Sequence, residues 1–236
     1  MDKNDDFKIN LLPPDTEPGK GGATKAANRA TFPAIVGTSA SMTVGRVEGC
    51  GINTFHVHPR SAELQLLMNG TLTTEMVPEN GVVDKDGKAR VIRQELKPFD
   101  MTVFYQGSVH HQFNPNCDPA YFVASFAAED PGTTQVENSV YLMDKNAIFP
   151  VLAEKVNFDT IEQIKKNIPP SLVKGFFECK ARCYGDDSQG GEYKKDNDDD
   201  KKDDKKGYQK DGKKDDKKDD NKNEPDNKSE DDEKNN

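Results

Sequence analysis

The chain is predicted to fold as an all-β barrel or sandwich, followed by a short helical segment and a charged tail. Three observations carry that prediction. Between Ala34 and Ala128, short apolar or alternating runs recur every few residues. They are rich in Val, Thr, Ile and Phe, which suit a pleated, half-buried surface. Gly, Pro, Asn and Asp separate them, as turns between strands require.

Residues 1–30 contain PPDTEPGKGG and little periodicity, and are expected to form an extended arm. Residues 31–150 are expected to form the barrel. Its strands are read from AIV, SMTVGRV, INTFHVH, ELQLLM, TLTTEMV, ARVIRQEL, MTVFYQG, HHQFN and YFVASFAA in turn. The insert PENGVVDKDGK, residues 78–88, is polar and turn-rich and predicts a surface hairpin loop. The pattern changes after about residue 145, and residues 151–183 predict a helical hairpin. Ile161, Ile164 and Ile168 recur at helical spacing, with Asp159 as N-cap and Glu162 three residues on. Pro169 and Pro170 end that helix, and Leu172, Phe176 and Cys179 predict a second one closing near Cys183. Residues 184–236 hold 20 of the 42 acidic residues, and their hydrophobic residues are Tyr184, Tyr193 and Tyr208 alone. Such a segment buries too little apolar surface to offset its ordering entropy and is expected to be disordered.

The formal net charge is −9, and the tail supplies most of it, so the remaining chain is nearly neutral. Nothing in that balance suggests a nucleic-acid partner. No apolar run approaches the roughly 20 residues that span a bilayer. The opening MDKNDDFKIN lacks the apolar region of a secretory leader.

All four histidines fall in two segments, CGINTFHVHPRSAELQLLMNG (residues 50–70) and FDMTVFYQGSVHHQFN (residues 99–114). On a strand, His56 and His58 point the same way. Pro59 and Arg60 allow a turn, after which Glu63 can return a carboxylate to the same side. His110 comes from a later strand, and alternation turns its neighbour His111 away. Three imidazoles and one carboxylate can then converge on one divalent ion. Mixed imidazole and carboxylate donors suit several first-row divalent ions.

These segments resemble the two motifs of the germin and germin-like branch of the cupin superfamily. The first motif runs Gly, His-x-His, Glu, Gly, and here reads Cys50, His56 and His58, Glu63, Gly70 with the family's spacing. The second runs Gly, Pro-x-Gly, His, Asn, and here reads Phe99, Tyr105-Gln106-Gly107, His110, Asn114. The first glycine of each motif and the proline are lost. GKGG, ANRATFPA, HPRSAE and FAAEDPG are similar to the spherulins of fungi and slime moulds.

The resemblance implies a single cupin (jelly-roll) β-barrel holding Mn2+, with Fe2+ the alternative, on His56, His58, Glu63 and His110. It implies a Cys50–Cys117 disulfide, an extracellular location and a homo-oligomer. Cys179 and Cys183 stand four residues apart and are left either as two thiols or as a bridge across a distorted helix. The related activities are oxidation of a small carboxylate, oxalate above all, and dismutation of superoxide. The alternative is a secreted structural or stress-associated protein whose metal stabilises the barrel. Asn53 matches one of two asparagines that hold oxalate in germins, and the second falls at Thr43 or Gly45. Oxalate decarboxylation resembles two-barrel proteins, and this chain has one motif pair. Asn69-Gly70-Thr71 and Asn227-Lys228-Ser229 match the glycosylation acceptor pattern.

Overall fold

Eight of the nine apolar runs become strands in the computed structural model, which describes residues 4–13, 20–152, 158–167, 171–175 and 177–185. In chain order the strands are β1 Gly22–Ala27, β2 Ser41–Val47, β3 Gly51–Val57, β4 Glu63–Asn69, β5 Leu72–Val77, β6 Ile92–Leu96, β7 Met101–Phe104, β8 Val109–Phe113, β9 Ala120–Phe126 and β10 Thr134–Gln135. Helices α1 Val136–Leu142, α2 Lys145–Val151 and α3 Phe158–Asn167 follow, then β11 Leu172–Lys174 and α4 Phe177–Tyr184.

The strands form two antiparallel sheets, ordered β1-β2-β9-β4-β7 and β10-β3-β8-β5-β6, with β11 also paired to β3. This is the all-β, two-sheet jelly roll that the motifs imply. Val47, Leu67, Leu72, Leu96, Ala120, Phe122, Ala124 and Phe126 fill the space between the sheets. Burying a side chain the size of Leu67 or Phe122 contributes about 1.5–3 kcal/mol. The insert at 78–88 is the exposed connection between β5 and β6, closed by a Val83–Ala89 bridge.

Several expectations are corrected. The arm expected over residues 1–30 contains an edge strand, because β1 pairs with β2 from Gly22↔Val47 to Ala27↔Met42. Its sequence, GATKAA, is poor in strand-forming types, so partnership with β2 and not propensity makes it a strand. The run AIV lies in a 3-10 turn, Pro33–Ile35, which opens on a proline that cannot donate to a ladder. The helical region begins at Val136 and not near 151.

Asp159 lies inside the first turn of α3. Leu172 is in a strand and not in the second helix, because β11 completes the hydrogen bonding of β3 at Asn53, Ile52 and Gly51. Ile161 is fully buried. Ile168, Pro169, Pro170, Phe176 and the tail from residue 186 onward lie outside the described residues.

The Cys50–Cys117 pairing is also corrected. The disulfides are Cys50–Cys179 and Cys117–Cys183, with Cα–Cα separations of 5.6 and 5.2 Å. The loops carrying Cys50 and Cys117 do meet, since the Cys50 N–H donates to Asn116 O at 3.0 Å. Helix α4, however, lies against both loops, and residues four apart share one helical face. Cys179 and Cys183 therefore each reach a different barrel cysteine. Tyr184 reinforces the docking by donating its hydroxyl to Gly49 O at 3.1 Å. Among the described residues, no helix is long and apolar enough to cross a membrane.

Candidate metal centre

Strand β3 supplies two of the four expected ligands, His56 on its inner face and His58 just past its end. After the turn at Pro59 and Arg60, β4 begins at Glu63 and points it inward, while Leu64 faces out. Strand β8 pairs His110 directly with His56. The four donor groups lie within 4.8 Å of one another, and all four residues are buried. The imidazoles pack closely, with ring centroids 4.2 Å apart for His56 and His110 and 5.2 Å for His56 and His58. Phe104 stacks on His110 at 4.2 Å, and the edge of Phe126 meets His58 at 4.8 Å.

Hydrogen bonding selects which nitrogen each ring presents. His56 Nδ1–H donates to Thr54 O at 2.6 Å, His58 Nδ1–H to Gly132 O at 2.5 Å, and His110 Nδ1–H to Ser108 O at 2.9 Å. A carbonyl only accepts, so each Nδ1 carries a proton and each ring directs its Nε2 inward, where its lone pair is open to an ion once that nitrogen is unprotonated. His58 Nε2 lies 2.9 Å from Glu63 Oε2. His110 Nε2 lies 3.4 Å from the same oxygen, and this buried nitrogen makes no hydrogen bond. Three imidazole nitrogens facing one carboxylate, one of them a buried orphan, fit a divalent cation.

The protonation of the cluster without an ion follows from the same contacts. Burial drives His56 down to about 3, with His110 adding to the effect. Burial also opposes a charged His58, but the Glu63 carboxylate outweighs it and raises that imidazole above its ordinary 6.5. Burial pushes Glu63 upward, yet the His110 and His58 imidazoles hold its carboxyl at about 2. A proton on His58 thus occupies the place where a cation would balance Glu63.

A cavity of about 300 Å³ opens onto His56, His58 and Glu63, with Thr24, Thr43, Asn53, Gln135, Ser171 and Leu172 in its wall. Thr43 therefore stands in the wall, whereas Gly45 packs beneath the Phe122 ring. Asn53 is buried there, and its Nδ2 donates to Gln112 Oε1 at 2.7 Å. His111 lies on the opposite face of β8, with Nε2 3.3 Å from Glu75 Oε2 and its ring 5.0 Å from Phe55.

Sequence reasoning missed Gln112, although its place two residues after His110 on the same strand face could have revealed it. It also missed Gly132, Gln135 and Ser171. No local periodicity connects those residues to the histidine motifs.

A family model described as cupin matches residues 9–162. Spherulin-1A of Physarum polycephalum is 35% identical over 178 residues, which cover 75% of this chain and 68% of that protein. Putative germin-like protein 9-2 of Oryza sativa subsp. japonica is 34% identical over 154 residues, 65% of this chain and 68% of the other. Among solved structures, an oxalate oxidase superimposes with a TM-score of 0.61 at 22% identity, covering 70% of this chain and 82% of its own. An oxalate decarboxylase of Bacillus subtilis, OxdC, gives a TM-score of 0.57 at 16% identity over 70% of this chain and 40% of its own. At such identities the two solved structures speak to the fold.

Proposed function

The chain belongs to the cupin family, alongside the spherulins and germin-like proteins, and from that premise we propose that it is a manganese-binding cupin acting oxidatively on small molecules. His56, His58, Glu63 and His110 are the ligands in this reading, with Mn(II) the resident ion and Fe(II) the alternative. The observation that carries it is the set of three Nδ1–H bonds to carbonyls, which leaves three Nε2 atoms facing one buried carboxylate. A bound ion of this kind supplies Lewis acidity and one-electron redox chemistry.

The residues around it bind and orient. Among the described residues no lysine or arginine lines the cavity, so an anionic substrate meets positive charge at the ligand cluster and neutral amides and hydroxyls elsewhere. Phe104 and Phe126 exclude water from the imidazole faces. Asn53 stands in the wall with its Nδ2 donating to Gln112 Oε1, and the second hydrogen of that amide is the donor it would offer a small carboxylate such as oxalate. Superoxide needs fewer contacts and fits the same cavity. Metal analysis of the purified protein, with hydrogen peroxide release from oxalate and superoxide dismutation assayed in parallel, tests the proposal. A zinc-filled, redox-silent site would overturn it.

A second reading is a spherulin-like structural protein whose ion ties β3, β4 and β8 together. It is favoured by the pair Thr43 and Gly45, since neither candidate for the second asparagine position offers an amide and the one that lines the cavity, Thr43, offers a hydroxyl. Two disulfides fit an oxidising, extracellular compartment under either reading. A homo-oligomer is part of the proposal as well. On the outer face of β4 and β7, Leu64 pairs with Val103 and Leu66 with Met101. Of these, Leu64, Val103 and Met101 are exposed.

A further inference from the structure

His58 is held differently from the other two imidazoles. His56 and His110 each donate to the carbonyl two residues earlier in their own segments, Thr54 and Ser108. His58 donates to Gly132 O, 74 residues away in the chain. The Phe126 edge packs against the ring, but it offers no lone pair with which to choose between the two nitrogens. His58 Nε2 meets Glu63 Oε2 at 2.9 Å, while its Nδ1 side meets only the turn at residues 130–133, Gly132 O at 2.5 Å and Thr133 Oγ1 at 3.4 Å, so the choice of nitrogen depends on how that turn is fixed.

Arg60, two residues after His58, fixes it. Its backbone N–H donates to Pro131 O at 3.1 Å, and its Nε–H donates to Asp130 O at 2.9 Å. Its Nη2 pairs with Asp130 Oδ2 at 2.9 Å, while Asp130 Oδ1 accepts the Gly132 N–H at 3.0 Å. Gly132 has φ +68°, and a Cβ there would lie 2.9 Å from the guanidinium, so the arginine lies across the bare face of the glycine. The turn, Asp130 to Thr133, also walls a cavity of about 120 Å³ that touches His58.

We propose that Arg60, Asp130 and Gly132 form a clasp that positions His58 for metal binding, with Arg60 and Asp130 as positioning residues. By aiming Gly132 O at Nδ1, the clasp holds the proton there and presents Nε2 to the ion. This rests on the metal-binding reading above. The Arg60 and Asp130 side chains are 55% and 45% exposed. An ion pair that open to solvent adds little to global stability, so the clasp acts on the ligand more than on the fold.

The test compares Arg60→Ala, Asp130→Asn and Arg60→Lys with Arg93→Ala. The last breaks an exposed pair with Glu75 on the outer face, away from the cavity. Mn(II) is the probe, its dissociation constant read from the EPR signal of the free ion and its surroundings from the spectrum of the bound ion. Loss of an outer hydrogen-bonding partner typically weakens metal affinity about 10- to 100-fold. Arg60→Ala and Asp130→Asn loosen that partner without removing it, so each should weaken affinity by up to about tenfold and alter the bound-ion spectrum, with metal-free melting temperatures close to wild type. Arg60→Lys, which keeps the charge but not the two-point grip, should recover part of the affinity, and Arg93→Ala should bind as wild type does. Undiminished affinity in both Arg60→Ala and Asp130→Asn, or an equal loss in Arg93→Ala, overturns the clasp alone. A wild-type protein that retains no divalent ion overturns the metal reading, and the clasp with it.

Discussion

Asn53 and His56 both face the barrel interior although they stand three positions apart on one strand. Asn53 pairs with Gln112 and His56 with His110, so β3 spends one more residue than β8 between the same two rungs. The extra residue makes a β-bulge, which reverses the alternation locally. Thr54 sits in this bulge, gives its carbonyl to His56 Nδ1, and donates its hydroxyl to Gln135 Oε1 at 2.9 Å. Without the bulge, strict alternation would put the Asn53 amide and the His56 ring on opposite sides of the sheet.

The ligand set predicts contrasting histidine variants. His58→Ala should abolish metal retention through extensive dialysis, because it removes a buried donor. His111→Ala should leave most of the metal in place, since that ring lies outside with Glu75 and Phe55. Equal losses, measured by elemental analysis, would reject the geometry.

Metal affinity should rise with pH. His58 is raised above 6.5 in the metal-free cluster, so below that elevated value a proton must leave Nε2 before an ion can bind. Each pH unit in that range should tighten Mn(II) binding up to about tenfold, and the gain should fade once His58 is neutral without metal. Titrations at several pH values check this, and a flat profile would contradict it.

Peptide mapping without reduction should recover Cys50 joined to Cys179 and Cys117 joined to Cys183. Replacing Cys183 by Ser should leave the first bridge intact and lower stability by about 2–4 kcal/mol. Recovery of a Cys50–Cys117 peptide would refute the arrangement.

Oxalate oxidation should be weak or absent, and superoxide dismutation detectable. Only Asn53 supplies an amide in the cavity wall at the two positions in question, with Thr43 at the other. One lost hydrogen bond to substrate costs about 1–3 kcal/mol, or roughly one to two powers of ten in binding or rate. Robust peroxide release from oxalate would mean that another side chain makes the missing contact.

The apolar outer face of β4 and β7 predicts self-association. A Met101→Lys, Val103→Lys double variant should shift light-scattering mass toward the monomer without changing metal content. A wild-type monomer at micromolar concentration would remove this expectation.

The strand class and the candidate positions His56, His58 and Glu63 were legible because both are local, while His110 was read from the second motif. A period of two needs only neighbouring residues, and the spacing from His56 to Glu63 is fixed within one strand, a turn and the next strand. Even the lost motif glycines kept their conformation, since Cys50 and Phe99 adopt φ 60° and 73° where glycine would be at ease.

Tertiary structure decided the rest. It paired Cys50 with Cys179 across 129 residues, added β1 and β11 to sheets that their own sequences do not announce, and brought Gly132 to His58. It also placed the bulge that turns Asn53 inward. Each of these depends on which distant backbone lies alongside and on the direction its carbonyls and Cβ atoms point. A linear pattern records neither, so the sequence by itself determined the class of fold and the candidate donors, while their orientation and their fastening belonged to the folded chain.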